Sequence, residues 1–228
     1  MRIDLDFMTV LSQWPMLLKG VAWTVGLTAV ATVLGLALGI LFAWMRAGGP
    51  IGRMIGGPRA LGWLVGLYVE LIRNTPFIVQ LFFIFFGLPA AGVKLSPELA
   101  SVIAMVINLG AYATEIVRAG IEATPRGQVE AAMSLAMGRA QTVLRVVLPP
   151  ALAKVWPAMV GQIIIVMLGS AVCGQISTQE LSFAANLIQS RNFRAFEAFI
   201  VATAIYLVLA IALRRLLNWL GARVLLAR

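Results

Sequence analysis

The sequence predicts an all-α protein that passes through a membrane several times, and three observations predict it. Of its 228 residues, 61 % are hydrophobic and 12 % charged, whereas an ordinary soluble domain has about 45–50 % and about 25 %. Stretches with no ionisable side chain run from Gly20 to Met45, Asn74 to Val93, Leu99 to Thr114, Val155 to Gln179 and Ala198 to Leu213. The charges fall between these stretches, so the net charge of +9 is spread over connections rather than gathered in one patch. A soluble chain this apolar would expose large sticky surfaces, whereas a bilayer makes the same surface solvent-facing.

A helix crossing the hydrocarbon needs roughly 17–25 residues. The charge-free runs, extended into interfacial residues where short, give five spans at about 20–45, 70–90, 98–118, 155–178 and 196–216, within a single transmembrane domain over 1–228. The first is too long for the apolar part of a secretory signal, and Asp4 and Asp6 stand where a signal has bases, so it is read as a retained helix. Its Gly35 and Gly39 form a small-xxx-small pair that suits close helix approach, although glycine is also simply common in membrane helices. The third and fifth spans meet Glu115 and Glu197, which can sit at the water boundary or face protein. Counting Lys and Arg on alternate sides gives thirteen on one and five on the other. Bases concentrate in the cytoplasm, which places the N-terminus outside and the C-terminus inside.

Composition also removes function classes. Without histidine there is no Ser-His-Asp or Cys-His machinery and no imidazole metal site. The lone Cys173 reads as a small apolar filler. Bases that flank apolar spans do not form a nucleic-acid patch. A phosphate-binding loop needs a lysine followed by Ser or Thr, but Lys19, Lys94 and Lys154 precede Gly20, Leu95 and Val155. The chain therefore has no nucleotide site of its own.

The longest connection, about 119–152, lies on the basic side and is longer than passive joining requires. Thr124-Pro125 predicts a helix start with Thr at the N-cap. Val129, Ala132, Met133, Ala136 and Met137 then follow the spacing of one helix face, and Gly138 is expected to end the helix in a left-handed turn. Val143, Leu144, Val147 and Leu148 make the apolar side of a second short helix, which Pro149 and Pro150 should break before the fourth span. Physical reasoning fits two roles for this loop, docking on another protein or resting on lipid headgroups.

The run from Glu130-Ala131-Ala132 to Leu148-Pro149 resembles the EAA loop of membrane subunits of bacterial ATP-binding cassette importers. Tyr112, Glu115, Arg118, Gly120, Pro125, Gly127 and Gln128 resemble the polar amino-acid uptake branch, as do Arg73-Asn74-Thr75-Pro76 and Glu180-Leu181. The similarity covers nearly the whole chain. It implies that this chain is a permease subunit of the bacterial inner membrane, with no catalysis and no bound cofactor, and with ATP and Mg held by partner ATPases. Expected partners are two cytoplasmic ATPase subunits, a second permease chain (the same or a similar one), a periplasmic or extracellular substrate-binding protein, and membrane lipid. The resemblance makes the loop a coupling helix and assigns ATPase contact to Arg126, Gly127, Gln128, Glu130, Ala131, Ala132 and Gly138. The loop departs from the pattern at Ala136, where relatives carry glycine.

Polar groups that are costly against lipid point to a substrate path, namely Asn108 and Ser170, with Gln162 and Gln175 read instead as interhelical hydrogen bonders. The resemblance sharpens Asn108, which matches a cavity-lining asparagine in some relatives. It also singles out Gly169-Ser170-Ala171-Val172, where many relatives carry Asp-Thr-Ser-Leu. The missing acid at Gly169 weighs against a basic cargo. An ion-coupled secondary transporter of a small polar solute is the alternative class, but such proteins place ionisable groups at mid-membrane. Glu70, Arg73, Glu115 and Arg118 lie near predicted span ends and suit structural ion pairs or a gate rim better.

Overall fold

The computed structural model describes residues 5–55 and 59–224, and every regular element among them is helical. Asp4, and Arg2 and Arg228 among the bases counted above, lie outside the described residues. In chain order the helices are α1 (Phe7–Leu11), α2 (Trp14–Arg46), α3 (Gly49–Ile55), α4 (Arg59–Arg73), α5 (Phe77–Phe82) and α6 (Leu88–Ala90). They continue with α7 (Pro97–Glu122), α8 (Arg126–Ser134), α9 (Arg139–Thr142), α10 (Leu148–Gly169), α11 (Leu181–Asn192) and α12 (Ala195–Val224). Widened π-type turns at Phe83–Gly87 and Val143–Val147 join α5 to α6 and α9 to α10, and a tighter 3-10 turn at Ser170–Ile176 extends α10.

Four helical stretches are long and apolar enough to cross a bilayer: Trp14–Arg46, Pro97–Glu122, Arg139–Ile176 and Ala195–Val224. A fifth candidate is the broken pair Leu61–Arg73 and Phe77–Ala90. The second span is thus not the continuous helix expected over 70–90. Pro76 lacks an N–H and disfavours helical geometry at Thr75, so the helix must stop there. The Asn74 amide and the Thr75 hydroxyl donate back to the carbonyls of Glu70 and Leu71, each at 2.8 Å, and satisfy the end of α4. Glu70 and Arg73 consequently belong to the last turn of a separate helix.

Pro149 and Pro150 do not break the chain as expected, because the helix runs on from Arg139 to Ile176. The turn before them is widened, with the Leu148 N–H donating to the Val143 carbonyl five residues back. This opens room for the rings where an ordinary turn would clash.

The chain forms two compact units. The first comprises residues 5–31, 77–105 and 164–213 of the described chain. Its core gathers Val10, Leu17, Leu181, Ala185, Ile188, Ala198 and Ala202 from α1, α2, α11 and α12. Gly20 permits close contact here, since a Cβ on it would lie 2.8 Å from the Leu181 Cα. The Leu181 N–H donates to the Thr24 hydroxyl at 3.2 Å, and the hydroxyls of Ser101 and Thr178 pair at 2.8 Å.

The second unit comprises residues 32–55, 59–76, 106–163 and 214–224. In it Gly35 and Gly39 meet α7, and a Cβ on Gly39 would come within 2.4 Å of the Ala113 Cβ. Of the two readings of this pair, close helix approach is the one realised. Val65, Val69 and Ala111 form a buried cluster with Phe42, Met45 and Tyr68, and the Tyr68 hydroxyl donates to the Ile107 carbonyl. The Trp156 indole N–H donates to the Leu217 carbonyl at 3.1 Å, lying directly over Gly221.

Candidate functional site: the loop helix and its anchors

The loop helix α8 begins one residue later than Thr124-Pro125 suggests. Pro125 holds the extended N-cap position (φ −61°, ψ 131°), no side chain caps the helix, and Thr124 is buried. Proline suits this place because it has no N–H to leave unsatisfied. Along α8, Val129 and Ala132 are buried and pack toward α3 and the Val143–Val147 turn, where Ile51, Ile55 and Val147 are also buried. Met133 and Ala136, expected on the same apolar face, are exposed.

Of the residues assigned to ATPase contact, Arg126, Gly127, Gln128, Glu130, Ala131 and Gly138 are exposed, whereas Ala132 is turned inward. A nine-residue helix therefore presents a mixed polar and small-residue surface while being seated on its own chain by two side chains.

The expected left-handed turn is made at Ala136, φ 56°, and not at Gly138, which has an extended backbone (φ −64°, ψ 157°) and opens α9. The Met137 N–H reaches the Ala132 carbonyl at 3.1 Å and the Ala136 N–H reaches Met133 at 2.9 Å. These two bonds are the Schellman pattern that closes a helix C-terminus. The pattern requires a left-handed residue two positions before Gly138, so hydrogen-bond register fixes the turn and the glycine's freedom goes unused.

A charged hub lies behind the loop, within the second unit. Glu115 of α7 accepts from Arg46 at the end of α2 and from Arg118 at 2.8 Å, with Arg73 of α4 at 3.9 Å. Arg118 also reaches Glu122 at 2.7 Å, and Glu122 accepts the Gly48 N–H at 3.2 Å. One carboxylate thus ties three helices, and the helix carrying it leads directly into α8. Paired charges of this kind hold geometry more than they add stability.

The proposed path residues fall in different surroundings. Asn108 lies part-buried on α7 and is hydrogen-bonded or otherwise engaged. Ser170 is fully buried, its hydroxyl donating to the Met167 carbonyl at 2.6 Å, so it turns back on its own helix. Gly169 borders open space, with no atom within 4 Å of where a Cβ would stand.

Sequence reasoning singled out Glu180 only by resemblance and missed its role. Its fully buried carboxylate caps α11, accepting from the N–H groups of Ser182 (2.8 Å) and Phe183 (2.7 Å), the Ser182 hydroxyl and the Tyr206 hydroxyl (both 2.6 Å). The available signal was a carboxylate just before an apolar helix, where the helix dipole favours negative charge.

Residues 48–226 match the family described as the binding-protein-dependent transport system inner membrane component. The chain is 36 % identical over 203 residues to the L-cystine transport system permease protein TcyB of Bacillus subtilis, covering 89 % of this chain and 83 % of that protein. It is 32 % identical over 212 residues to the arginine transport system permease protein ArtQ of the same organism, covering 92 % and 93 %. A solved structure described as an amino acid ABC transporter with histidines superposes with a TM-score of 0.83 at 33 % identity, covering 97 % of this chain and all of that one.

Proposed function

The chain belongs to the binding-protein-dependent transport system inner membrane components, as a permease of the amino-acid ABC transporters, and from that premise we propose how it works. It is a multi-pass transport subunit, and it forms half of an ATP-driven pathway for a polar amino acid. In this reading the whole chain is one permease domain in the bacterial inner membrane, crossing five times with its N-terminus outside and α8 and its C-terminus in the cytoplasm. A second permease, the same chain or a similar one, supplies the other half. A substrate-binding protein delivers cargo from outside, and two ATPase subunits bind ATP and Mg and drive the cycle.

The observation that carries the reading is the form of α8. Val129 and Ala132 fasten it to its own chain while Arg126, Gln128, Glu130 and Ala131 face outward. A helix held on one side and bare on the other suits a docking element, and Glu130 can meet a base on the ATPase. Gly138 lies beyond the helix end and serves the following turn. Closure of the ATPases on nucleotide would draw the coupling helices together and, through the Glu115 hub, move α2 and α4 with α7. Asn108, Gly169 and Ser170 are the path positions, with Gly169 giving space where many relatives place an acid.

The test is uptake by the intact assembly in liposomes. ATP-dependent uptake that persists after collapse of proton and sodium gradients is expected. Uptake by this chain alone, driven by a gradient, would replace the reading with a secondary carrier. At Gly169, aspartate should shift preference among acidic, neutral and basic amino acids toward the basic ones, and an unchanged preference would remove this position from the path.

A further inference from the structure

We propose that a cavity at the end of α4 binds the charged head of a free α-amino acid, its ammonium and carboxylate together. The ligand class rests on the transport reading above. None of the path positions already named lines this cavity. The cavity, about 270 Å³ in volume, is lined by Val69, Glu70, Arg73, Asn74 and Tyr112, all within the second unit. That volume is close to the lower end of small-molecule pockets, about 300 Å³, and gives room for the charged head of an amino acid.

The lining offers both signs of charge. Glu70 and Arg73 stand three residues apart on one helix, and among the described residues they make no ion pair with each other. Instead the cavity opens beside both. The hub holds the Arg73 guanidinium only by a long ion pair, because Glu115 has Arg46 and Arg118 as its close partners and stands 3.9 Å from Arg73, beyond hydrogen-bond range, so the donors of Arg73 stay open to a ligand. It lies 5.5 Å from the centre of the Tyr112 ring, which holds the fork in place, and 44 % of its side chain is exposed. A guanidinium so placed can grip a carboxylate with two parallel donors.

Glu70 supplies the counterpart for an ammonium, and Asn74, already 3.3 Å from the Glu70 carboxylate, steadies that oxygen. A simple anion would gain from Arg73 but be repelled by Glu70, and a simple cation would meet the reverse. A zwitterion satisfies both.

The experiment uses the assembly of permeases and ATPases in nanodiscs of phosphatidylglycerol alone, without the substrate-binding protein. Labelled L-glutamine, L-arginine and L-cystine are the probes, each compared with its carboxamide and its N-acetyl form. In the unaltered protein, blocking either end of a bound amino acid should weaken binding about tenfold or more, as expected for losing a charge-assisted contact. In Arg73→Gln the acid and its amide should bind alike, and in Glu70→Gln the free and N-acetylated forms should bind alike. Loss of discrimination at one end only is an effect that general damage to the fold would not produce.

Should a glutamine variant fail to assemble, Arg73→Met or Glu70→Met takes its place, since only a change in this lining assigns the discrimination to this cavity. Binding of none of the three amino acids, equal binding of blocked and free forms, or gaps that survive both substitutions would overturn the proposal. So would a site that fills only when phosphatidylethanolamine is added, because a lipid headgroup would then be the occupant. Failure here leaves ATP-dependent uptake untouched, and failure of that uptake would be read in the liposome assay instead.

Discussion

Ala136 holds a left-handed backbone that its side chain disfavours by about 1–2 kcal/mol. Ala136→Gly should therefore stabilise the end of α8 by about 1 kcal/mol, raising the thermal midpoint of the purified protein by about 2–4 °C. Gly138→Ala should change it little, because Gly138 has an ordinary backbone and open space around it. Gly39 behaves oppositely. Gly39→Leu must push against Ala113, and overpacking of this kind costs about 1–3 kcal/mol. Its signature would be a lower yield of folded protein extracted from membranes.

Asp6 offers a pH test. The Thr9 hydroxyl and N–H, both donating to it, hold its carboxyl below the ordinary value. A carboxylate lowered in the folded state contributes stability above its ordinary range, and that contribution fades as pH falls through the lowered value. The difference in thermal midpoint between the natural protein and Asp6→Asn should thus be present at pH 7 and close in acid.

Among the elements, α8 is where sequence and structure agree most and where they part most usefully. The spacing of Val129 and Ala132 announces the buried face, and the proline announces the start. The end is not legible from residue identity, because the glycine that looks like the stop lies two residues past the position that hydrogen-bond register selects. Glu130→Arg should weaken co-purification of the ATPase severalfold while leaving membrane insertion intact, and unchanged co-purification would take Glu130 out of the contact. The second span shows the converse failure. Its apolar run is plain, yet Pro76 with Asn74 and Thr75 divides α4 from α5, and hydropathy is blind to a missing N–H. The two prolines before the fourth span mislead in the other direction, since a widened turn absorbs them.

For the whole molecule, composition was enough to establish a helical, multi-pass membrane protein, because lipid leaves few ways to satisfy a backbone. The polar interior was not. Glu180 with its four donors, and Glu115 with its three arginines, depend on groups brought together from distant parts of the sequence. Charge pattern places such residues near span ends but does not pair them. If Glu115 links α2 and α4 to the helix that carries α8, Glu115→Gln should loosen the stoichiometry, with more ATP hydrolysed per amino acid imported and assembly preserved. An unchanged ratio would reduce the hub to a brace.

Trp156 supplies an optical consequence. Its indole rests on Gly221 and is tethered to Leu217, so any parting of α10 from the tail of α12 must break that hydrogen bond and change the ring's surroundings. The chain has six tryptophans. With the others exchanged for phenylalanine, the colour of this single emitter becomes a clock hand for the working cycle, readable without attaching a dye.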